Sequence, residues 1–173
     1  MCGRCLKKPP AFTRGIALYR YAPPADHLVR LAKFHQQPGQ ARALGRTLAT
    51  RVLNVSRPDV IAPVPLHATR LRERGYNQAL EIARPVARAL HVPLAPRLLA
   101  RTRPTPPQTG LDRRARERNL RNAFAVVDVS QVRGKIIALI DDVMTSGSTA
   151  DAAARALKRA GAKSVMVWVV ARA

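Results

Sequence analysis

The stretch IIALIDDVMTSGST, residues 136–149, decides the fold. It opens with an unbroken apolar run, Ile136, Ile137, Ala138, Leu139 and Ile140, which reads as a strand buried in a parallel sheet. Asp141 and Asp142 follow at once, then a loop of hydroxyls around Gly147. Beyond it, Ala153, Ala156, Leu157 and Ala160 recur with helical spacing, and Gly161 stands where a helix ends in a left-handed residue. A second buried strand is expected over 164–170. Strand, loop, helix and strand make one βαβ unit, so the fold class expected is α/β with a mostly parallel sheet flanked by helices.

In open parallel sheets, ligands sit beyond the carboxyl ends of the strands, where Asp141 and Asp142 fall. The loop after them ends at a helix N-terminus, whose unbonded N–H groups and positive dipole end favour a phosphate. Thr145, Ser146, Ser148 and Thr149 add hydroxyl donors, and Gly147 lets the backbone approach a ligand closely. Two carboxylates beside such a loop would repel a second phosphate but accept hydrogen bonds from vicinal hydroxyls. A ribose 5-phosphate supplies both chemistries. Three other readings compete. A strand ending in Asp-Asp resembles a nucleotide-triphosphate metal site, yet the chain has no G-x-x-x-x-G-K-[ST]; no G-x-G-x-x-G is present for a dinucleotide. The third is structural only: the acids end a strand, and Ser148 with Asp151 forms a capping box.

Working outward, a strand is expected at 15–21. Asp26 is the expected N-cap of a helix carrying Leu28, Leu31, Ala32 and His35. Residues 36–39 read as a breaker before a second helix with Leu44, Leu48 and Val52 inward. The segment from Asp59 begins as a buried strand and is stopped by Pro63 and Pro65. Residues 67–78 read as an arginine-rich loop, and Ala79, Ile82, Ala83, Val86 and Leu90 mark a helix kinked at Pro85. A short strand is expected at 92–94 and another at 123–127. Between them, 102–122 is rich in Pro, Thr, Gln and Arg without apolar periodicity and reads as a long functional loop.

With 173 residues, 47% of them hydrophobic, the chain has material for one core and one domain. Lys and Arg number 31 against 10 Asp and Glu, a net charge of +21 that calls for an anionic partner. A phosphorylated metabolite and nucleic acid both fit that field. Two cysteines exclude a disulfide framework. No apolar segment reaches membrane-spanning length, and the expected location is the cytoplasm. His27, His35, His67 and His91 show no metal-ligand spacing, Trp168 reads as core, and Tyr76 as a substrate-stacking or packing residue.

The stretch IALIDDVMTSGST resembles the 5-phosphoribosyl 1-diphosphate (PRPP) signature of type I phosphoribosyltransferases. With Lys33-Phe34, Pro63-Val64-Pro65-Leu66, Arg74-Gly75-Tyr76-Asn77-Gln78, Gln108 with Leu111, Arg116 with Asn119, and Ala123-Phe124, the chain is similar to the competence-associated ComF family over nearly its whole length. The resemblance implies a phosphoribosyltransferase fold at 15–173, with a small hood at 15–53 and a flexible loop at 101–122. It implies that Asp141 and Asp142 contact the ribose hydroxyls and act with Arg116 in catalysis. Thr145, Ser146, Gly147, Ser148 and Thr149 would hold the 5-phosphate. Pro65, Leu66, Arg70 and Arg74 would face the pyrophosphate, and Gln108, Arg116 and Asn119 would act from the loop. Mg²⁺ is expected to arrive with PRPP. Residues 1–14 look like the remnant of a zinc-finger segment: Cys2 and Cys5 are half of a four-ligand site, so Zn²⁺ is expected only if further residues complete it. The implied activity is transfer of a phosphoribosyl group to an acceptor with release of pyrophosphate. The alternative is a non-catalytic protein of DNA uptake that binds PRPP or single-stranded DNA and meets competence proteins. The residues specify neither the acceptor nor the oligomeric state.

Overall fold

The computed structural model describes residues 9–34, 38–55, 57–102 and 122–173. Four parallel strands form the main sheet in the order β1 (Arg14–Arg20), β6 (Ser164–Arg172), β5 (Ile136–Met144), β2 (Val60–Pro63). The helices are α1 (Ala25–Phe34), α2 (Pro38–Val52), α3 (Ala68–Arg74), α4 (Gln78–Leu90) and α5 (Ser148–Arg159). A separate antiparallel ribbon pairs β3 (Leu99–Arg101) with β4 (Phe124–Val126). Among the described residues, no helix is long and apolar enough to cross a membrane.

The unbroken apolar run of β5 is explained by burial on both faces. Ala138 and Ile140 join Trp168, Val170, Ile61 and the inner faces of α2 and α4. Ile137 and Leu139 face the other way, with Val165, Val167, α5 and the β3–β4 ribbon. Alternate residues of one strand therefore feed two cores, and every position must be apolar. The helix between β5 and β6 ends as its sequence indicates: Gly161 takes φ 93°, and Ala162 N–H donates to the Leu157 carbonyl at 3.0 Å.

Several local expectations change. Asp26 lies within the first turn of α1 and pairs with Arg30 at 2.8 Å. Pro38 and Gly39 lie inside α2, because proline at the first helical position lacks only an N–H that would have no partner there. Residues 67–78 are not simply a loop. His67 accepts from Thr69 N–H, Gly75 at φ 74° closes the C-terminus, and the seven residues between are helical. Residues 92–94 reach the sheet through one bridge, Leu94 to Ile61. Within residues 15–53, the expected hood, β1 extends the sheet beside β6, and α2 packs on α4.

Candidate functional site

Parallel strands all point one way, so the carboxyl ends of β2 and β5 come to one edge. Pro63 pairs with Ile140, and Val64 N–H donates to the Ile140 carbonyl at 2.8 Å. The turn at Pro65 and Leu66 therefore lies beside Asp141 and Asp142. Here β5 runs through both acids to Met144, further than its apolar run. Asp141 lines a small concavity with residues 143–150 and Val169, whereas Asp142 is not part of its lining. Asp141 Oδ1 accepts the Asp142 N–H at 2.9 Å and Asp142 Oδ1 accepts the Val143 N–H at 2.6 Å.

The loop to α5 has the geometry of an anion cradle. Gly147 has φ 78°, a left-handed conformation that suits glycine, and it caps α5 without any side-chain hydrogen bond. A Cβ there would meet only the Met144 side chain at ordinary contact distance, Sδ at 3.7 Å and Cγ at 3.9 Å, so backbone conformation rather than crowding demands the glycine. The Ser146 and Ser148 hydroxyls share a hydrogen bond of 2.9 Å. The capping box of the competing structural reading does not form: Asp151 instead accepts from Ala11 N–H at 2.7 Å and from Arg155 Nε at 3.0 Å. Its carboxylate serves a distant segment, and the first turn of α5 is left to Gly147 and the serines.

Behind Pro65 and Leu66, the α3–α4 junction is held by the motif Arg74-Gly75-Tyr76-Asn77-Gln78. Asn77 caps α4 through Ala79 N–H at 3.0 Å and donates to the Val64 carbonyl at 3.1 Å. Buried Gln78 accepts from Arg74 at 3.2 Å, so that guanidinium is fixed at the base of the turn. Arg70 pairs loosely with Glu73 at 3.4 Å on an exposed surface. Burial pushes the Tyr76 phenol above its ordinary pKa, with Arg74 opposing and Glu81 adding to the shift.

One site residue escaped the sequence reading. Arg101 ends β3 opposite Phe124, with its guanidinium 5.6 Å from the ring centroid. Burial lowers its pKa, the charge of Asp141 raises it, and Arg70 lowers it again. As an arginine it keeps its proton. Arg70 and Asp141 thus both lie within electrostatic reach of Arg101, although the three come from separate elements. The only sequence signal was that Arg101 is the last residue before the Pro-rich segment. Thr102 N–H donates to the Ala123 carbonyl at 3.0 Å, which ties the two ends of that segment together. Gln108, Arg116 and Asn119 lie outside the described residues, as do Cys2 and Cys5. Among the described residues, no group of three or more His, Cys, Asp or Glu could hold a metal ion.

Comparison with known proteins agrees with this architecture. Residues 76–173 match the phosphoribosyl transferase domain family. The chain is 40% identical over 177 residues to the DNA utilization protein YhgH of Escherichia coli K12, covering 99% of this chain and 77% of that protein. Competence protein F of Haemophilus influenzae is 35% identical over 179 residues, with 99% and 78% covered. Among solved structures, the glutamine PRPP amidotransferase of B. subtilis, complexed with ADP and GMP, aligns with a TM-score of 0.52 at 24% identity. That alignment covers 75% of this chain but 25% of the amidotransferase, and it speaks for the fold alone. With the acidic pair at a strand end, the glycine-capped loop and these relatives in agreement, the chain belongs to the phosphoribosyl transferase domain family and, within it, to the competence-associated ComF group.

Proposed function

We propose that this protein binds PRPP and transfers its phosphoribosyl group to an acceptor. The reading is carried by one observation: Asp141 shares a concavity with a hydroxyl-rich loop whose helix begins at Gly147 without a side-chain cap. The 5-phosphate fits the amides and hydroxyls of residues 145–149, and the ribose hydroxyls fit the carboxylates. The pyrophosphate would lie toward Pro65, Leu66, Arg70, Arg74 and Arg101. In the reaction, an acceptor lone pair bonds to C1 while the C1–oxygen bond breaks and its electrons leave with pyrophosphate. Guanidinium groups neutralise charge developing on that leaving group. Mg²⁺ would arrive with PRPP, held largely by the substrate's own pyrophosphate and ribose hydroxyl oxygens, so no dedicated protein metal cage is required. The metal would supply further neutralisation of the pyrophosphate.

The direct test is a thermal shift with PRPP and Mg²⁺, followed by assay of pyrophosphate release across candidate acceptors. Ligand at roughly 100-fold above Kd should stabilise the fold by about 2.7 kcal/mol and raise Tm by roughly 5–10 °C. No shift would remove the reading. Arg101→Met keeps an apolar stem against Phe124 and removes the charge beside Asp141. It is expected to weaken PRPP binding roughly tenfold, read by calorimetry, as expected for one lost charge-assisted contact of about 1.4 kcal/mol. Unchanged affinity would place Arg101 outside the pyrophosphate path.

A second reading is binding of single-stranded DNA in DNA uptake. It is favoured by the net charge of +21 and by the names of the DNA utilization and competence relatives. A steep fall of oligonucleotide affinity with salt is its expected signature, since each phosphate contact releases counterions.

A further inference from the structure

Charge is unevenly spread over the helices. Together α2 and α4 carry Arg42, Arg46, Arg51, Arg84 and Arg88 against a single acid, Glu81. The arginines are exposed, whereas Glu81 is only 7% exposed. Its carboxylate accepts from Arg42 Nε at 2.6 Å and from Arg84 Nε at 3.1 Å. Both arginine stems are thereby fixed across the helix junction, with about half of each side chain still facing solvent. Arg46 and Arg88 lie one helical turn beyond them and have no ion-pair or hydrogen-bond partner among the described residues. Elsewhere an acid stands beside an exposed arginine on each of α1, α3 and α5: Asp26 with Arg30, Glu73 with Arg70, and Asp151 with Arg155.

An open groove of about 520 Å³ adjoins this face, lined by Arg84, Arg88 and His91 above Ala87, Val92, Pro93 and Leu94. Arg57 reaches the same end, donating to the His91 carbonyl at 2.6 Å. α4 starts beside Val64 at the carboxyl edge of the sheet and ends beside Val92 and Pro93, which meet the other flank of β2. The groove shares no lining residue with the concavity at Asp141.

A cationic rim over an apolar floor fits a ligand that alternates anionic groups with flat apolar ones. Single-stranded nucleic acid has that pattern, with phosphates for the guanidiniums and an unstacked base for the groove. A duplex offers the phosphates but hides its base faces. An anionic membrane is a poorer match, because neither helix exposes a large apolar side chain for insertion among the described residues. We propose that the α2–α4 face, with the groove from Arg84 to Leu94, is a single-stranded nucleic-acid-binding surface distinct from the phosphate loop. The proposal rests on the second reading above and gives it a location.

The test is fluorescence anisotropy of the whole protein with a 20-nucleotide oligo-dT across a salt series. Arg46→Gln combined with Arg88→Gln breaks no contact among the described residues. It should weaken binding at least tenfold at low salt and flatten the log–log salt slope by about 1.4, two single-strand phosphate contacts. The PRPP–Mg²⁺ thermal shift should be unaltered. Arg159→Gln with Lys163→Gln, an equal charge change beyond the opposite core, should leave affinity within twofold. Unchanged binding at Arg46 and Arg88, or equal losses in both pairs, overturns the location. Equal affinity for a duplex of the same length overturns the groove as a base site. If the unaltered protein does not bind oligo-dT while PRPP still stabilises it, the nucleic-acid reading itself falls and the PRPP reading stands.

Discussion

Changing Asp141 and Asp142 together to asparagine is expected to weaken PRPP binding roughly 30- to 150-fold while the protein stays folded. The magnitude follows from charge-assisted hydrogen bonds being stronger than neutral ones by about 1–1.5 kcal/mol each, or about 2–3 kcal/mol for the pair. Folding should survive because asparagine retains the Oδ1 that accepts the following backbone N–H at both positions. Of the two acids, Asp141 alone lines the loop concavity, so the single variants should not be equivalent. Asp141→Asn should carry the larger loss, since Asp141 lines the loop concavity and also balances the charge of Arg101. Calorimetry on the two single variants and the double variant separates these terms. Wild-type affinity in the double variant would end the assignment of the acids to the ribose.

Gly45→Val should be the most damaging single change away from the site. A Cβ on Gly45 would stand 2.6 Å from Pro85 Cγ and in hard contact with the Ile82 carbonyl. Neither obstacle is a flexible side-chain end, so α2 and α4 would have to separate along a buried seam. Overpacking of this kind costs about 3 kcal/mol, which for a domain of this size lowers Tm by roughly 6–12 °C. Separation would also pull Arg42 from Glu81, leaving that buried carboxylate with Arg84 alone. Thermal denaturation by circular dichroism reads the loss directly, and a Tm within about 2 °C of the parent would show that the helices yield more easily than their packing suggests.

The same seam shows what a sequence conceals. Pro85 reads as a kink within a helix, and α4 does run on through it, but its ring also forms one side of the close approach to Gly45. Gly45 lies inside α2, where nothing in its own segment shows what it meets. The close approach of the two helices explains the glycine, and it is not visible in either segment alone.

Residues 136–149 remain the part of the chain that the sequence determined by itself. A five-residue apolar run must be buried on both sides, a proline cannot continue a ladder, and a glycine between hydroxyls permits a left-handed turn. These are short-range constraints, and they were enough for the α/β class, the end of β2 and the loop at Gly147. The tertiary structure alone decided which distant groups meet. It brought Asp141 and Arg70 within reach of Arg101, gave Asp151 to Ala11 instead of to its own helix cap, and set β1 into the main sheet. It also told Asp141 from Asp142: β5 runs four residues past Ile140, and of the two acids Asp141 alone lines the loop concavity. The reason is the same in each case. Periodicity and capping act within a few residues, whereas the partner of a charge or a strand edge depends on which remote segments compete to cover the same apolar surface.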